Sequence, residues 1–400
     1  MDKEALDRSI ARRLVDHIEH RSTDMAPAVL ELPAEIYTSQ ARFAREAEVL
    51  FRNHPLVLCL SGALPGPGSY LTVEVMDTPL LLTRDGAGRV HALANICRHR
   101  GVRVADGSGA ARRFTCPFHA WVYDLEGRLV GVPESDAFEG MCREDKGLVE
   151  LPVAEGYGLI VGRIRPGPAV DVEAYLGPEL TEELALLDFA AWPLAGEAHV
   201  HPVGANWKVT LDTYRENYHF NYLHRRTLAE YAYGGVLTFD AFGPHVRNAS
   251  AIRTIDELRG RPEEEWEDPD HHFSYQYSLF PNVCLTFDFR HIEFWAILPV
   301  DAHSSKVLHM AHLKPGLAPE EASRYAEMAP WICESVVDGE DFWVAARTEP
   351  HLRSGLLDRV VFGRNEPAPQ HLHRNFASAL AAAAPSGSAP SDSAAGPAVG

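Results

Sequence analysis

The sequence predicts an α+β fold built from two unlike parts, and three observations carry that expectation. From about residue 55 to 165 the chain is a succession of short apolar runs divided by turn signals, the texture of an antiparallel β module. Beyond residue 200, longer helical stretches are mixed with paired strand-like runs. The 400 residues, 46% apolar and 23% charged, are enough for two or three domains with cores of their own.

In chain order, residues 3–22 predict a helix of mixed charge that Leu32–Pro33–Ala34 breaks, and 40–52 predict another. Strands are expected at 56–60, 70–75, 80–83 and 90–95, separated by Pro65–Gly66–Pro67–Gly68 and Asp85–Gly86. The pattern continues through 114–115 and 121–123, with Glu126–Gly127 as a hairpin turn, and closes near 157–164. Residues 205–231 predict a long helical stretch. Runs at 273–300 predict paired strands, 306–314 a further strand, and 318–348 a helix with a break at Pro330. From about 378 the chain is rich in Ala, Ser, Pro and Gly and is expected to be a disordered tail.

Charge narrows the partners. Lys and Arg total 37 against 56 Asp and Glu, a net −19, which repels phosphate backbones and anionic lipid. Neither nucleic acid nor membrane is expected as a partner, whereas a basic patch on another protein would suit. The start is charged and lacks a signal-peptide core, and no run of 18 apolar residues occurs, so a cytoplasmic protein is expected. The six cysteines, 59, 97, 116, 142, 284 and 333, favour metal ligation over a disulfide framework in such a chain.

Two of these cysteines lie in Cys97–Arg98–His99–Arg100–Gly101 and Cys116–Pro117–Phe118–His119–Ala120–Trp121. Each C-x-H or C-x2-H pair falls on a loop between predicted strands, so two loops can pinch one metal group. Thiolates suit one iron and imidazoles another, which makes a [2Fe–2S] cluster less negative and raises its potential. A Cys2His2 zinc site is the competing reading, but zinc fingers pair Cys with Cys and His with His beside a short helix.

The segment resembles the Rieske domain of the Rieske non-haem iron oxygenases, the aromatic-ring-hydroxylating family, whose large (alpha) subunit is the terminal oxygenase. Asn95–Ile96 upstream and Trp121 to Gly127 downstream match that pattern too. The resemblance, over about 40–375, implies an N-terminal helical segment at 1–44 packed on the catalytic domain and a Rieske domain at 45–165. It further implies a catalytic domain at 166–378, of helix-grip (START/Bet v1-like) type, followed by the tail at 379–400.

A cluster only relays electrons, so a second metal is expected. Asn206–Trp207–Lys208 precedes Glu216–Asn217–Tyr218–His219 and His224, an E-x2-H-x4-H pattern. Two imidazoles and a carboxylate make the facial triad of a non-haem Fe(II) centre. Residues five apart on a regular helix point about 140° apart, so His219 and His224 share a metal only if the helix bends or ends near 220–224. The resemblance implies Asp341, in Asp338–Gly339–Glu340–Asp341–Phe342–Trp343, as third ligand, with Glu340 and Asp338 as rivals. It implies that Glu216 bridges the iron-ligand histidine to a cluster histidine of the neighbouring subunit. Most members have Asp there; Glu resembles the minority typified by carnitine and glycine-betaine oxygenases, and Asp212 stands where ring dioxygenases commonly have Asn.

By that resemblance a separate NAD(P)H-dependent flavin/iron–sulfur reductase or ferredoxin feeds the cluster. Iron uses O2 to hydroxylate or oxidatively demethylate a small organic substrate, and the subunits form head-to-tail homotrimers. Arene cis-dihydroxylation and an electron-transfer or redox-sensing protein without catalysis are the alternatives. Expected pocket residues are Tyr214, Phe220, Leu223, Tyr275, Tyr277, Phe280, Cys284, Phe287, Phe289, Phe294 and Trp295, half or more of them ordinary core.

Overall fold

A seven-stranded antiparallel sheet dominates the structure, a computed structural model that describes residues 2–383. Its order is His199–Val203, Ser304–Leu313, His291–Asp301, Val283–Phe287, Phe273–Leu279, His245–Ile252 and Ala232–Phe242. Six of these follow one another as a meander, which needs only short turns between antiparallel neighbours.

Because side chains alternate along each strand, register sorts them onto two faces. Tyr275 pairs with Phe287, and Tyr277 with Leu285, on one face. There the Tyr275 hydroxyl donates to Asp7 of helix Lys3–His20 (2.5 Å) and the Tyr277 hydroxyl to Glu183 of helix Pro178–Leu187 (2.6 Å). The other face presents a row in which Cys284 pairs with Trp295, Trp295 with His309, and His309 with His199. Helix Trp207–Asp212 and the helical run from Pro319 to Leu352 cover this second face. Tyr275, Tyr277 and Phe287 therefore cannot line a pocket on the covered row. Phe280 packs instead on His54 and Phe376, with ring centroids at 5.2 and 5.5 Å.

Three smaller sheets form the first half: one of five strands, from Ser69–Val75 to Glu150–Leu151, and two of three strands. Leu81, Leu93, Phe114, Trp121 and Tyr123 make a core separate from the main one. Lys306 on the large sheet ties the halves together through Glu74 (2.7 Å).

Several sequence expectations are corrected. Of 205–231, only Trp207–Asp212 is α-helical. Tertiary partners compete for the backbone that follows. Arg215 is drawn into the core onto Ser278 Oγ (2.5 Å) and the Val283 carbonyl (3.1 Å), and the Asn217 side chain donates to Val236 O (2.8 Å). The chain then makes a single 3-10 turn at Tyr218–Asn221. The break expected near Pro33 is a strand, Leu30–Pro33, paired with Arg359–Phe362. Pro330 does not break its helix: the run widens to π-type turns over Ile332–Asp341 just after it, as a missing N–H permits, and continues to Leu352. The last helix, Pro367–Ala382, extends into the expected tail because Leu380 is buried; the rest of that tail, from 384, lies outside the described residues.

Asp212 also has a partner set that explains it locally. It accepts from the Tyr37 hydroxyl (2.7 Å) and lies 3.0 Å from His373 Nε2, so it ties the early and late helices to the helix before the E-x2-H-x4-H segment. All six cysteines are free. Among the described residues, no helix is long and apolar enough to cross a membrane.

Two buried histidines make the fold acid-sensitive. His245 donates from Nε2 to the Tyr175 carbonyl (2.8 Å) and accepts at Nδ1 from the Phe280 amide (3.0 Å), so only the neutral ring satisfies both. Burial pushes His245 and His312 down to about 4. The unfolded chain takes up these protons below about pH 6.5, and the folded one refuses them. Their stabilisation is therefore full above pH 6.5 and lost as pH falls towards 4, by roughly 3 kcal/mol each. Denaturant titrations at pH 7.5 and 5 should show about 2 kcal/mol of this loss for each histidine, and His245→Gln should remove about half of the total. A profile that stays flat across that window would refute the assignment.

Candidate metal centres

The two cysteine loops are built alike. Cys97 N–H donates to Val102 O (2.9 Å) and Gly101 N–H to Cys97 O (2.8 Å). In the second loop Cys116 N–H donates to Trp121 O (2.8 Å) and Ala120 N–H to Cys116 O (3.0 Å). Both turns require a left-handed residue four positions after the cysteine. Gly101 adopts φ +83° at no cost, whereas Ala120 adopts φ +54° against its Cβ.

These loops face each other. The His99 and His119 rings lie 4.5 Å apart, centroid to centroid, and Trp121 stacks on His99 at 4.9 Å. Cys97 and Cys116 are buried, and both ring Nδ1 atoms are buried without a hydrogen-bond partner. Two thiols and two orphaned imidazole nitrogens are a fitting donor set for a [2Fe–2S] cluster. Burial opposes a Cys97 thiolate, but the Tyr123 hydroxyl at 3.4 Å and nearby amides outweigh it and lower the pKa. Burial and its neighbour Cys97 raise that of Cys116. Tyr123 was not singled out in the sequence; its place two residues beyond Trp121, at the centre of the strand Val122–Asp124, was the available signal.

The second centre depends on the broken helix. His219 stands in the 3-10 turn and His224 beyond it, so the 140° problem disappears and their rings come to 4.9 Å. Asp341 arrives from the π-helical segment: its Oδ1 is 3.2 Å from His224 Nε2 and 3.6 Å from His219 Nε2. That oxygen is buried with no hydrogen-bond partner, and the three donors all lie within 4.8 Å of one another. His224 is 1% and Asp341 7% exposed, so water competes poorly for the donors.

Carboxylates hold the far side of both rings. Glu216 Oε1 takes His219 Nδ1, and its Oε2 accepts from the Tyr218 and His219 amides. Glu340 Oε2 takes His224 Nδ1 at 2.7 Å and accepts from the Thr227 hydroxyl at 2.6 Å. Both Nε2 atoms are thereby turned to Asp341, the arrangement that orients and strengthens imidazole ligands. The rivals to Asp341 are engaged elsewhere: Glu340 as described, and Asp338 with His201 Nδ1 at 3.0 Å. Burial opposes a charge on His224, but Asp341 and Glu340 raise its pKa nonetheless. The role of Glu340 was missed in the sequence, where it figured only as a rival ligand.

Of the expected pocket residues, Tyr214 and Trp295 touch each other (5.6 Å), Tyr214 meets Phe342 (6.1 Å), and Phe220 meets both histidines. The Tyr214 hydroxyl is buried and unpartnered beside this centre.

The chain matches two family descriptions: a Rieske [2Fe–2S] domain over residues 54–152 and a ring hydroxylating alpha subunit catalytic domain over 189–382. It is 29% identical over 253 residues to the terephthalate 1,2-dioxygenase terminal oxygenase component subunit alpha 2 of Comamonas sp, covering 59% of each chain. It is 31% identical to the glycine betaine monooxygenase oxygenase subunit of Chromohalobacter salexigens, over 49% of this chain and 44% of that one. With the chloroplastic choline monooxygenase of Beta vulgaris it shares 30%, over 58% and 51%. The chain thus spans about half the length of the curated relatives it matches. In fold it resembles the quaternary ammonium Rieske monooxygenase CntA in complex with inhibitor MMV12, at a TM-score of 0.72 and 22% identity over 92% of this chain and 98% of that one. Naphthalene 1,2-dioxygenase with indole bound gives a TM-score of 0.69 at 19% identity, over 88% and 92%.

Proposed function

Because the chain belongs to the Rieske oxygenase family, as a Rieske [2Fe–2S] domain followed by a ring-hydroxylating alpha-subunit catalytic domain, we propose that it is a terminal oxygenase. It hydroxylates or oxidatively demethylates a small organic substrate with O2 and electrons from NAD(P)H. The observation that carries this reading is the pair of donor sets, Cys97/His99/Cys116/His119 and His219/His224/Asp341, each with orphaned buried donor atoms.

In this reading the first set holds the [2Fe–2S] cluster and the second a mononuclear Fe(II). When bound, the cluster supplies one electron at a time and the iron, with three protein ligands, supplies open positions for dioxygen. The chain's own residues do the rest. Glu216 and Glu340 fix the imidazole tautomers with Nε2 towards the metal. Asp341 supplies the anionic ligand, and Tyr214, Trp295 and Phe342 give an aromatic wall that sheds water. Aromatic faces can also hold a quaternary ammonium group, which suits a substrate like those named for the glycine betaine and choline relatives.

The electron source is a separate flavin/iron–sulfur reductase or ferredoxin in a cytoplasmic setting, a compartment consistent with six free cysteines. The assembly is a homotrimer in which each cluster serves the neighbour's iron. What supports this is the exposed apolar surface of both centres: Ile96, Val102 and Phe118 around the cluster loops, Tyr218 and Tyr222 beside His219. Among the described residues, no hydrogen bond joins the two centres within one chain. Glu216 is the link across the boundary.

Incubation with reductase, NADH and 18O2 over a panel of quaternary amines and aromatic acids tests the reading. One labelled atom in product is expected; two would move the chemistry to dihydroxylation, and none, with iron fully loaded, would remove the oxygenase assignment. Glu216→Gln should lower turnover about 10- to 100-fold, the usual cost of losing such a partner, with cluster and iron retained. Unchanged turnover would deny Glu216 its part.

A further inference from the structure

A third donor group lies on the same helix-covered face of the sheet and has no part in the centres above. His201 on the edge strand, His309 on its neighbour, and Cys333 on the helical run place donor atoms within 4.8 Å of one another. His309 Nδ1 is 3.4 Å from Cys333 Sγ, and His201 Nε2 is buried with no hydrogen-bond partner at all.

The rings are held as metal-binding rings are held. His201 Nδ1 is on Asp338 (3.0 Å), and His309 Nε2 is on Glu293, whose other oxygen accepts from the Tyr325 hydroxyl (2.6 Å). Each imidazole thus turns its second nitrogen towards the thiol, and Trp295 stacks on His309 at 3.8 Å to fix the ring plane. This repeats the construction around His219 and His224, where carboxylates also take the far nitrogens. Glu293, Asp338 and Glu334 put negative charge around Cys333, a field that attracts a cation. The group opens on one side into a cavity of about 640 Å3 lined by His199, Pro330 and Glu334. An ordinary pair of packed histidines would not aim an orphaned Nε2 and a thiol at the same point.

The geometry points to a third metal site formed by His201, His309 and Cys333, selective for a borderline-soft divalent cation of the zinc type. Two imidazoles and a thiolate are a zinc-like donor set that magnesium and calcium do not favour, and zinc outcompetes Fe(II) at such ligands. Binding releases the Cys333 proton to solvent and leaves the fourth position open to the cavity. Cys333 and Asp341 stand eight residues apart on one continuous helical run, so the metal would clasp the segment that carries Asp341 onto the sheet edge.

The test uses the holoprotein with its iron in place, equilibrated with Zn2+ alone and then desalted. One zinc per chain beyond the iron is expected, and zinc X-ray absorption should show one sulfur near ~2.3 Å beside nitrogens near ~2.0 Å. Cys333→Ser and His201→Ala should each weaken zinc binding at least tenfold at unchanged iron content. His219→Ala should keep its zinc while losing iron. Absence of zinc uptake overturns the site, as does zinc seen with only nitrogen and oxygen neighbours or lost together with His219. The sulfur signal in the unaltered protein decides the matter even if a variant fails to fold. Zinc is counted separately from iron, so the result stands apart from the oxygenase reading.

Discussion

Asp341→Ala should abolish turnover and lower the iron content from about three to about two atoms per chain, with the cluster spectrum unchanged. The expectation rests on what the carboxylate does. Asp341 Oδ1 is the one anionic donor facing both Nε2 atoms, at 3.2 and 3.6 Å, and it is buried without another partner. Its loss leaves two neutral imidazoles, too little charge and too few ligands to retain Fe(II). Glu340→Gln is the informative contrast. That residue holds His224 from behind, so its variant should keep iron and lose about 10- to 100-fold in turnover. Iron analysis, the electron paramagnetic resonance of the reduced cluster and oxygen uptake separate the two outcomes. Retention of the third iron in the Asp341 variant would transfer the ligand role to another carboxylate.

The second large effect is on stability. Lys208 and Glu46 are both fully buried and meet at 2.5 Å; the second Glu46 oxygen is held by Arg42 at 2.8 Å. Trp207 Nε1 donates to the same Glu46 oxygen as Lys208 (3.1 Å). Glu46→Leu strands the ammonium group in the core, where an uncompensated charge costs about 3–5 kcal/mol. Burial pushes the Lys208 pKa down even with Glu46 beside it. The double variant Glu46→Leu/Lys208→Met should recover most of the loss, since replacing both members of such a pair is often neutral. Equilibrium unfolding of the two singles and the double gives the coupling directly. A single variant as stable as the parent would show that water reaches Lys208. The pair fastens the helix Trp207–Asp212 from which the iron-site segment departs, so iron affinity should weaken with stability in the single variant.

The sequence by itself determined the chemistry of the centres and the class of fold. Ligand types and their spacing are local properties, so Cys97, His99, Cys116 and His119 could be read from two loops. Alternating strands are local too, and they announced both β regions before 165 and after 270. Asp341 could be named only through resemblance, because nothing near it in sequence requires a metal. The tertiary structure decided how the second centre works. Local propensity favours a helix through 205–231, but Arg215 and Asn217 find better hydrogen-bond partners on the large sheet, and the helix gives way after Asp212. That break turns His219 and His224 towards one point. Likewise, Glu340 became an anchor for His224, Tyr275 and Tyr277 went to the far face, and His201, His309 and Cys333 came together from two strands and a helical run. Register and long-range packing set these outcomes, and neither is carried by any short stretch of the chain.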